Sequence, residues 1–236
     1  MDDVERLWCV VPAGGRGTRF GAQPPKQYVA LAGQPMLLWT LQRLVASPRI
    51  AGLMVVLAAD DPYWPKLDTL GGRPVLTAIG AAERSGSVLA GLRALPASVG
   101  AQSFVLVHDA ARPCVDIDDI ERLIDMGCAA GGGLLAAPLR DTLKLGDSHA
   151  HVLATEPREA RWRALTPQIF RREELTCALV QAQEEGIVVT DESMAMERAG
   201  HSPLLVEGAE SNIKVTTPAD LALAEYLLGG VTSAGR

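Results

Sequence analysis

Residues able to do chemistry concentrate in three short segments. The first is Pro12-Ala13-Gly14-Gly15-Arg16-Gly17-Thr18-Arg19-Phe20, running on to Pro25-Lys26-Gln27. Clustered glycines let backbone N–H groups approach phosphate oxygens closely, Arg19 adds a forked donor and Lys26 a point charge. That combination predicts a polyphosphate site built on Pro12, Ala13, Gly14, Gly15 and Gly17, with Arg19 and Lys26 as its cations. Two better-known phosphate motifs do not match. A dinucleotide fingerprint counted from Gly15 needs glycine where Phe20 stands, and no Gly-Lys-Ser/Thr step marks a P-loop.

The second segment, His108-Asp109-Ala110-Ala111-Arg112-Pro113, follows the apolar run Phe104 to Val107. Asp109 is a candidate ligand for Mg²⁺, a cation that takes one or two carboxylates together with phosphate oxygens and water. The third segment, Gly208 to Thr216, carries Lys214 as a further cation for a phosphate cluster. No Ser, Cys or His forms a nucleophilic set with a base, and His149, His151 and His201 read as surface residues.

These segments need a frame that brings them together. Trp8 to Val11, Leu53 to Ala59, Phe104 to Val107, Leu134 to Pro138 and Pro203 to Glu207 read as strands. Pro35 to Val45, Ser85 to Leu95 (with Ser85 as its N-cap), Asp116 to Ala130, Arg172 to Glu185, Glu192 to Ala199 and Pro218 to Leu228 read as helices. Thr217 caps the last of them, with Pro218 as its first residue. Strands alternating with helices predict an α/β fold with a mostly parallel twisted sheet and helices on both faces. In such folds ligands collect at the carboxyl ends of the strands. The stretch from Leu139 to Leu165 breaks the alternation with two β-prone pieces around a Gly-Asp-Ser turn, and it reads as a projecting β-arm.

Bulk properties narrow the function. The 236 residues fit one domain, and the net charge of −6 disfavours a nucleic-acid surface, so any anion site must be focused. No apolar run approaches the ~20 residues of a membrane span and the first strand lacks signal-peptide flanks, so a cytoplasmic protein with no membrane partner is expected. The four cysteines lie far apart in sequence and read as buried reduced thiols.

The N-terminal loop resembles that of nucleotidyltransferases with a Rossmann-like nucleotide-diphospho-sugar transferase fold. The remaining motifs are similar to those of the 2-C-methyl-D-erythritol 4-phosphate cytidylyltransferase family, from Val10 to about Leu227. The resemblance implies CTP as substrate, a divalent cation such as Mg²⁺, a sugar-alcohol phosphate as acceptor, and a homodimer in which the arm completes the partner's site. It also implies catalytic roles for Arg19, Lys26 and Lys214. Ala81 and Ser87 join the nucleotide loop, although the family usually has glycine where Ala81 stands. Asp109, Arg112, Thr142, Arg158, Thr166 and Thr190 fall at acceptor positions, with Asp109 also at the metal. A ribitol 5-phosphate cytidylyltransferase, another sugar-phosphate nucleotidylyltransferase and a non-catalytic nucleotide-binding module remain as alternatives. Fusion to the cyclodiphosphate synthase of the non-mevalonate isoprenoid pathway, to which the resemblance points, is not expected.

Overall fold

The structure is a computed structural model that describes residues 6–15 and 24–233, with side chains to 229. It begins with β1 (Leu7–Pro12), a 3-10 turn at Lys26–Tyr28, a minor ribbon of β2 (Ala30–Leu31) and β3 (Gln34–Pro35), and α1 (Met36–Ala46). There follow β4 (Ile50–Leu57), β5 (Thr69–Leu70), β6 (Arg73–Ile79), α2 (Arg84–Ala94), β7 (Phe104–Val107), α3 (Ile117–Ala130) and β8 (Gly132–Pro138). The hairpin β9 (Leu143–Gly146) and β10 (Val152–Glu156) leads into β11 (Trp162–Arg171), α4 (Arg172–Glu184), α5 (Glu192–Arg198), β12 (Leu204–Glu207) and α6 (Pro218–Ser233).

The central sheet has the order β12-β8-β11-β7-β1-β4-β6-β5. β1, β4, β6 and β7 run parallel, as do β8 and β12, while β11 is antiparallel to both β7 and β8. The inner strands read as continuous apolar runs because both their faces are covered. Alternate residues separate cleanly: Cys9, Val11, Leu53, Val55 and Leu106 join one core, Val10, Met54, Val56, Val105 and Val107 the other. α1 and α3 close the first face, and α2, α4 and α5 close the second.

Besides the two-residue strands β2, β3 and β5, two longer strands escape the sequence reading. β6 carries Pro74 and buries only Val75, so its pattern lacks an apolar face. β11 places Thr166 and Gln168, both buried, in the middle of the sheet, so polarity hides it. The segment 139–165 therefore divides. β9 and β10 pair only with each other among the described residues, exposing Leu145, Val152 and Leu153, whereas Trp162 onward belongs to the central sheet.

Helix ends are set by local chemistry. Asp116 caps α3 by accepting from the Asp118 N–H at 2.8 Å, and Gly131 ends it at φ 82°. Thr217 accepts from the Asp220 N–H at 3.3 Å at the start of α6. Ser85 is not the cap of α2: Glu83 holds that position without a side-chain bond, and Arg84 is already helical. The thiols also depart from expectation. Cys9 is buried and its pKa is pushed up by burial, Cys114 and Cys128 are half-buried, and Cys177 is exposed on α4.

Candidate active site

β1 lies between β7 and β4, where the chain changes direction across the sheet, the place a ligand cleft opens in parallel folds. Three loops leave the carboxyl ends of β1, β6 and β7 there, each extending the ladder by one bond. The Ala13 N–H donates to Val56 at 2.7 Å, the Gly80 N–H to Leu57 at 2.8 Å, and the His108 N–H to Val10 at 3.0 Å. The open cleft between them has a volume of about 180 Å³ and is lined by Pro12 to Gly15, Lys26, Gln27, Ala81 to Arg84, Ser87, Asp109 to Ala111 and Lys214. Pro12, Ala13, Gly14, Gly15, Lys26, Ala81, Ser87, Asp109 and Lys214 are thus brought together, as expected. Gly17 and Arg19 lie outside the described residues.

Side chains lock these loops to one another. Gln27 donates to the Ala13 carbonyl at 2.6 Å, and Lys26 donates to the Val215 carbonyl at 3.2 Å. The Val215 N–H reaches Ala111 at 2.8 Å, so the first, second and third chemical segments share one network. Ser87 folds the 80–83 loop onto α2: its hydroxyl oxygen accepts from the Ala81 N–H at 3.0 Å and lies 3.0 Å from the Glu83 carbonyl. A Cβ on Gly80 would meet that oxygen at 2.7 Å, so only glycine permits this closure.

Asp109 is the electrostatic centre. Its buried carboxylate accepts from Arg84 Nε at 2.8 Å on Oδ1, while Oδ2 lies 2.8 Å from Lys214 Nζ and 3.6 Å from Arg112 Nε. Burial alone would raise its pKa, but Arg84 and Lys214, then Arg112, outweigh burial and hold it well below the usual carboxylate range. Arg84 is itself clamped by Glu192, whose two oxygens accept from Nη1 at 2.6 Å and Nη2 at 3.1 Å. Burial works against the guanidinium charge, yet Glu192 and Asp109 raise the Arg84 pKa.

This pairing changes the expected role of Asp109. Both its oxygens are committed to cations, Oδ1 to Arg84 and Oδ2 to Lys214. A protein-held Mg²⁺ at Asp109 does not fit the donor set. The carboxylate instead holds Arg84 and Lys214 in place.

Two other expected contacts become supports. Arg112 is buried, donates to the Asn212 carbonyl at 2.6 Å and lies 3.5 Å from the Ala164 carbonyl. It ties the Lys214 loop to β11. Thr166 is also buried, and its hydroxyl oxygen accepts from the Asp109 N–H at 3.0 Å and lies 3.0 Å from His108 Nδ1. The Arg112 carbonyl 3.1 Å from Nε2 can only accept, so Nε2 carries the proton and Nδ1 accepts from Thr166. Burial lowers the His108 pKa to about 4, keeping this ring neutral.

Thr142, Arg158 and Thr190 do not line the cleft of their own chain. Thr142 and Arg158 are exposed on the segments flanking the hairpin, and Arg158 donates to the Arg140 carbonyl. Thr190 is exposed before α5 and bonds to the Met194 sulfur at 3.4 Å. His149, His151 and His201 are exposed. Sequence reasoning overlooked Gln27, Arg84 and Glu192 as parts of the site. Arg84 stood within a quoted motif, but Glu192 looked like an ordinary acid in a first helical turn, and nothing linear connects the two.

Comparisons with known proteins agree over nearly the whole chain. The model of the IspD family, 2-C-methyl-D-erythritol 4-phosphate cytidylyltransferase, matches residues 7–230. The chain belongs to this family. The cytidylyltransferase of that name from Stenotrophomonas maltophilia strain R551-3 is 56% identical over 223 residues, covering 94% of this chain and 96% of the relative. Its counterpart from Xanthomonas oryzae pv. oryzae PXO99A is 55% identical, covering 94% and 82%. Among solved structures, the Francisella tularensis 2-C-methyl-D-erythritol 4-phosphate cytidylyltransferase superposes with a TM-score of 0.81 at 31% identity, covering 94% of this chain and 100% of that one. The Thermus thermophilus cytidylyltransferase gives 0.76 at 29% identity, covering 94% and 98%. Membership makes the chain a nucleotidyltransferase.

Proposed function

We propose that this cytidylyltransferase moves the cytidylyl group of CTP onto 2-C-methyl-D-erythritol 4-phosphate, giving 4-diphosphocytidyl-2-C-methyl-D-erythritol and pyrophosphate for isoprenoid precursor synthesis. The observation that carries this reading is the cleft itself: Lys26, Arg84 and Lys214 meet the glycine loop at the carboxyl end of β1, in a chain of this family.

A phosphate monoester has a second pKa of about 6, so near neutral pH the acceptor is already an anionic nucleophile and needs no protein base. One of its oxygens attacks the α-phosphorus of CTP in line. A new P–O bond forms, the bond to the β-phosphate oxygen breaks, and pyrophosphate leaves with the electron pair. Positioning and charge neutralisation carry such a step. Lys26 and Lys214 stabilise the charge that builds on the α-phosphate, joined by Arg19, which lies between Gly15 and Lys26 in sequence. The backbone of Pro12 to Gly15 holds the polyphosphate, and Ser87 with the Ala81 backbone faces the nucleoside. Mg²⁺ is assigned to the CTP polyphosphate, as part of the substrate, and not to Asp109.

Acceptor recognition is assigned to a homodimer. Thr142 and Arg158 lie on the arm, whose exposed Leu145, Val152 and Leu153 suit burial against a second copy. Thr190 completes the set from beside α5. The enzyme is placed in the cytoplasm, in keeping with four free cysteines and with the described residues holding no helix long and apolar enough to cross a membrane.

The test is pyrophosphate release with Mg²⁺, crossing CTP, UTP, ATP and GTP against 2-C-methyl-D-erythritol 4-phosphate and ribitol 5-phosphate. Release with CTP and methylerythritol phosphate alone is expected. Preference for ribitol phosphate would change the acceptor, and no release from any pair would overturn the catalytic reading. Sedimentation of the intact chain should give a dimer, and a monomer at assay concentration would remove the arm from the site.

A further inference from the structure

Glu192 presents an unexplained burial of charge. Its carboxylate is fully buried in the first turn of α5, a position whose dipole favours an acid but does not require burial. Taking an ion pair out of water seldom adds net stability over apolar side chains of the same volume. The pair also spans 108 residues and reaches a side chain that lines the cleft. Its use lies in what it positions.

We propose that Glu192 is a positioning residue for the transfer reaction, acting on Lys214 through Arg84 and Asp109. The contacts form one continuous relay. Glu192 grips both Nη atoms of Arg84 at 2.6 and 3.1 Å, which fixes the plane and rotation of the guanidinium. Arg84 Nε is thereby aimed at Asp109 Oδ1 at 2.8 Å, leaving Oδ2 to hold Lys214 Nζ at 2.8 Å. Lys214 is 39% exposed on a long flexible stem, and Asp109 is the carboxylate it pairs with. Without Glu192, the Nη atoms of Arg84 turn toward Asp109 and compete for Oδ2, and Lys214 is released into the cleft. The relay also joins α5 to the nucleotide loop through the first residue of α2.

The proposal rests on the transferase reading, and one experiment separates the two. Steady-state pyrophosphate release from CTP and methylerythritol phosphate is measured for wild type, Glu192→Gln, Arg84→Gln and the double variant. Misplacing a catalytic group by about 1 Å costs on the order of 100-fold. Glu192→Gln is therefore expected to lower kcat by about 10- to 100-fold. Its KM for CTP should not rise, because the change removes a negative charge from beside a polyanion site. The double variant should lose no more than Arg84→Gln alone, since residues acting through one another are not additive. Glu192→Asp keeps the charge while losing volume, so it should retain more kcat than Glu192→Gln. A side chain needed only for packing would give the reverse order. Thermal unfolding of each variant confirms that folded enzyme is compared. Wild-type enzyme without pyrophosphate release would defeat the transferase reading. Wild-type turnover with undiminished Glu192→Gln turnover, additive losses, or the reverse Asp and Gln order would each overturn the positioning role and leave the transferase reading standing.

Discussion

Replacing Asp109 with Asn tests the electrostatic centre most directly. The substitution keeps the shape of the side chain but removes the one anion shared by Arg84, Arg112 and Lys214. It also turns an amide N–H₂ toward at least one cation. Leaving a buried charge without its partner costs about 3–5 kcal/mol. Arg84 and Lys214 are 26% and 39% exposed, so solvent screens part of their repulsion. The low end, about 3 kcal/mol, is the appropriate expectation. At about 2–4 °C per kcal/mol for a chain of this size, Tm should fall by about 6–12 °C near pH 7. The sign with pH follows from linkage. The native Asp109 pKa is depressed, so its stabilisation is present above the unfolded value of about 3.9 and is lost as pH falls below it toward the native pKa. The Tm gap between wild type and Asp109→Asn should therefore be constant from neutral pH to about 5 and narrow below about 4. Differential scanning calorimetry over that range measures it. A gap below about 2 °C at pH 7, or one that does not narrow in acid, would refute the assignment of Asp109 as the shared counter-ion.

Lys26→Ala should lower kcat by about 10²–10³-fold, the usual loss for one preorganised charge-stabilising group. A raised KM for CTP with unchanged kcat would make Lys26 a binding residue only. His108, held neutral at a pKa of about 4, binds its proton only in the unfolded state between that value and about 6.5. Stability should then decline by about 3 kcal/mol as pH drops from about 6.5 to about 4, and His108→Gln should flatten this limb in urea titrations at stepped pH. Gly91→Ala should destabilise by about 1–3 kcal/mol despite alanine's better helix propensity. The added Cβ would stand 2.6 Å from Val10 and 2.7 Å from Val56 across the α2–sheet contact, and an unchanged Tm would show that this packing yields.

Much of the frame is legible in linear order because its signals are local. β1, β4, β7 and β8 are apolar runs, since a strand covered on both faces has no polar side to show. Asp116, Gly131 and Thr217 mark helix ends because caps satisfy backbone groups within a few residues. The glycine loop after β1 and the aspartate after β7 stand out for the same reason, and both line the cleft. Only the folded chain decides what each polar residue does there. Thr166 and Gln168 obscure β11 because their partners, His108, Asp109 and Ser193, come from other segments. Arg112 is read as an acceptor contact, and only the fold shows that the Asn212 and Ala164 carbonyls hold its guanidinium. Asp109 looks like a metal ligand until Arg84 and Lys214, 25 and 105 residues away, occupy its oxygens. Glu192 carries no signal at all, because an acid in a first helical turn is ordinary and its partner lies 108 residues earlier. Local sequence sets backbone conformation and the supply of charge, whereas the pairing of those charges depends on which loops the sheet order places side by side.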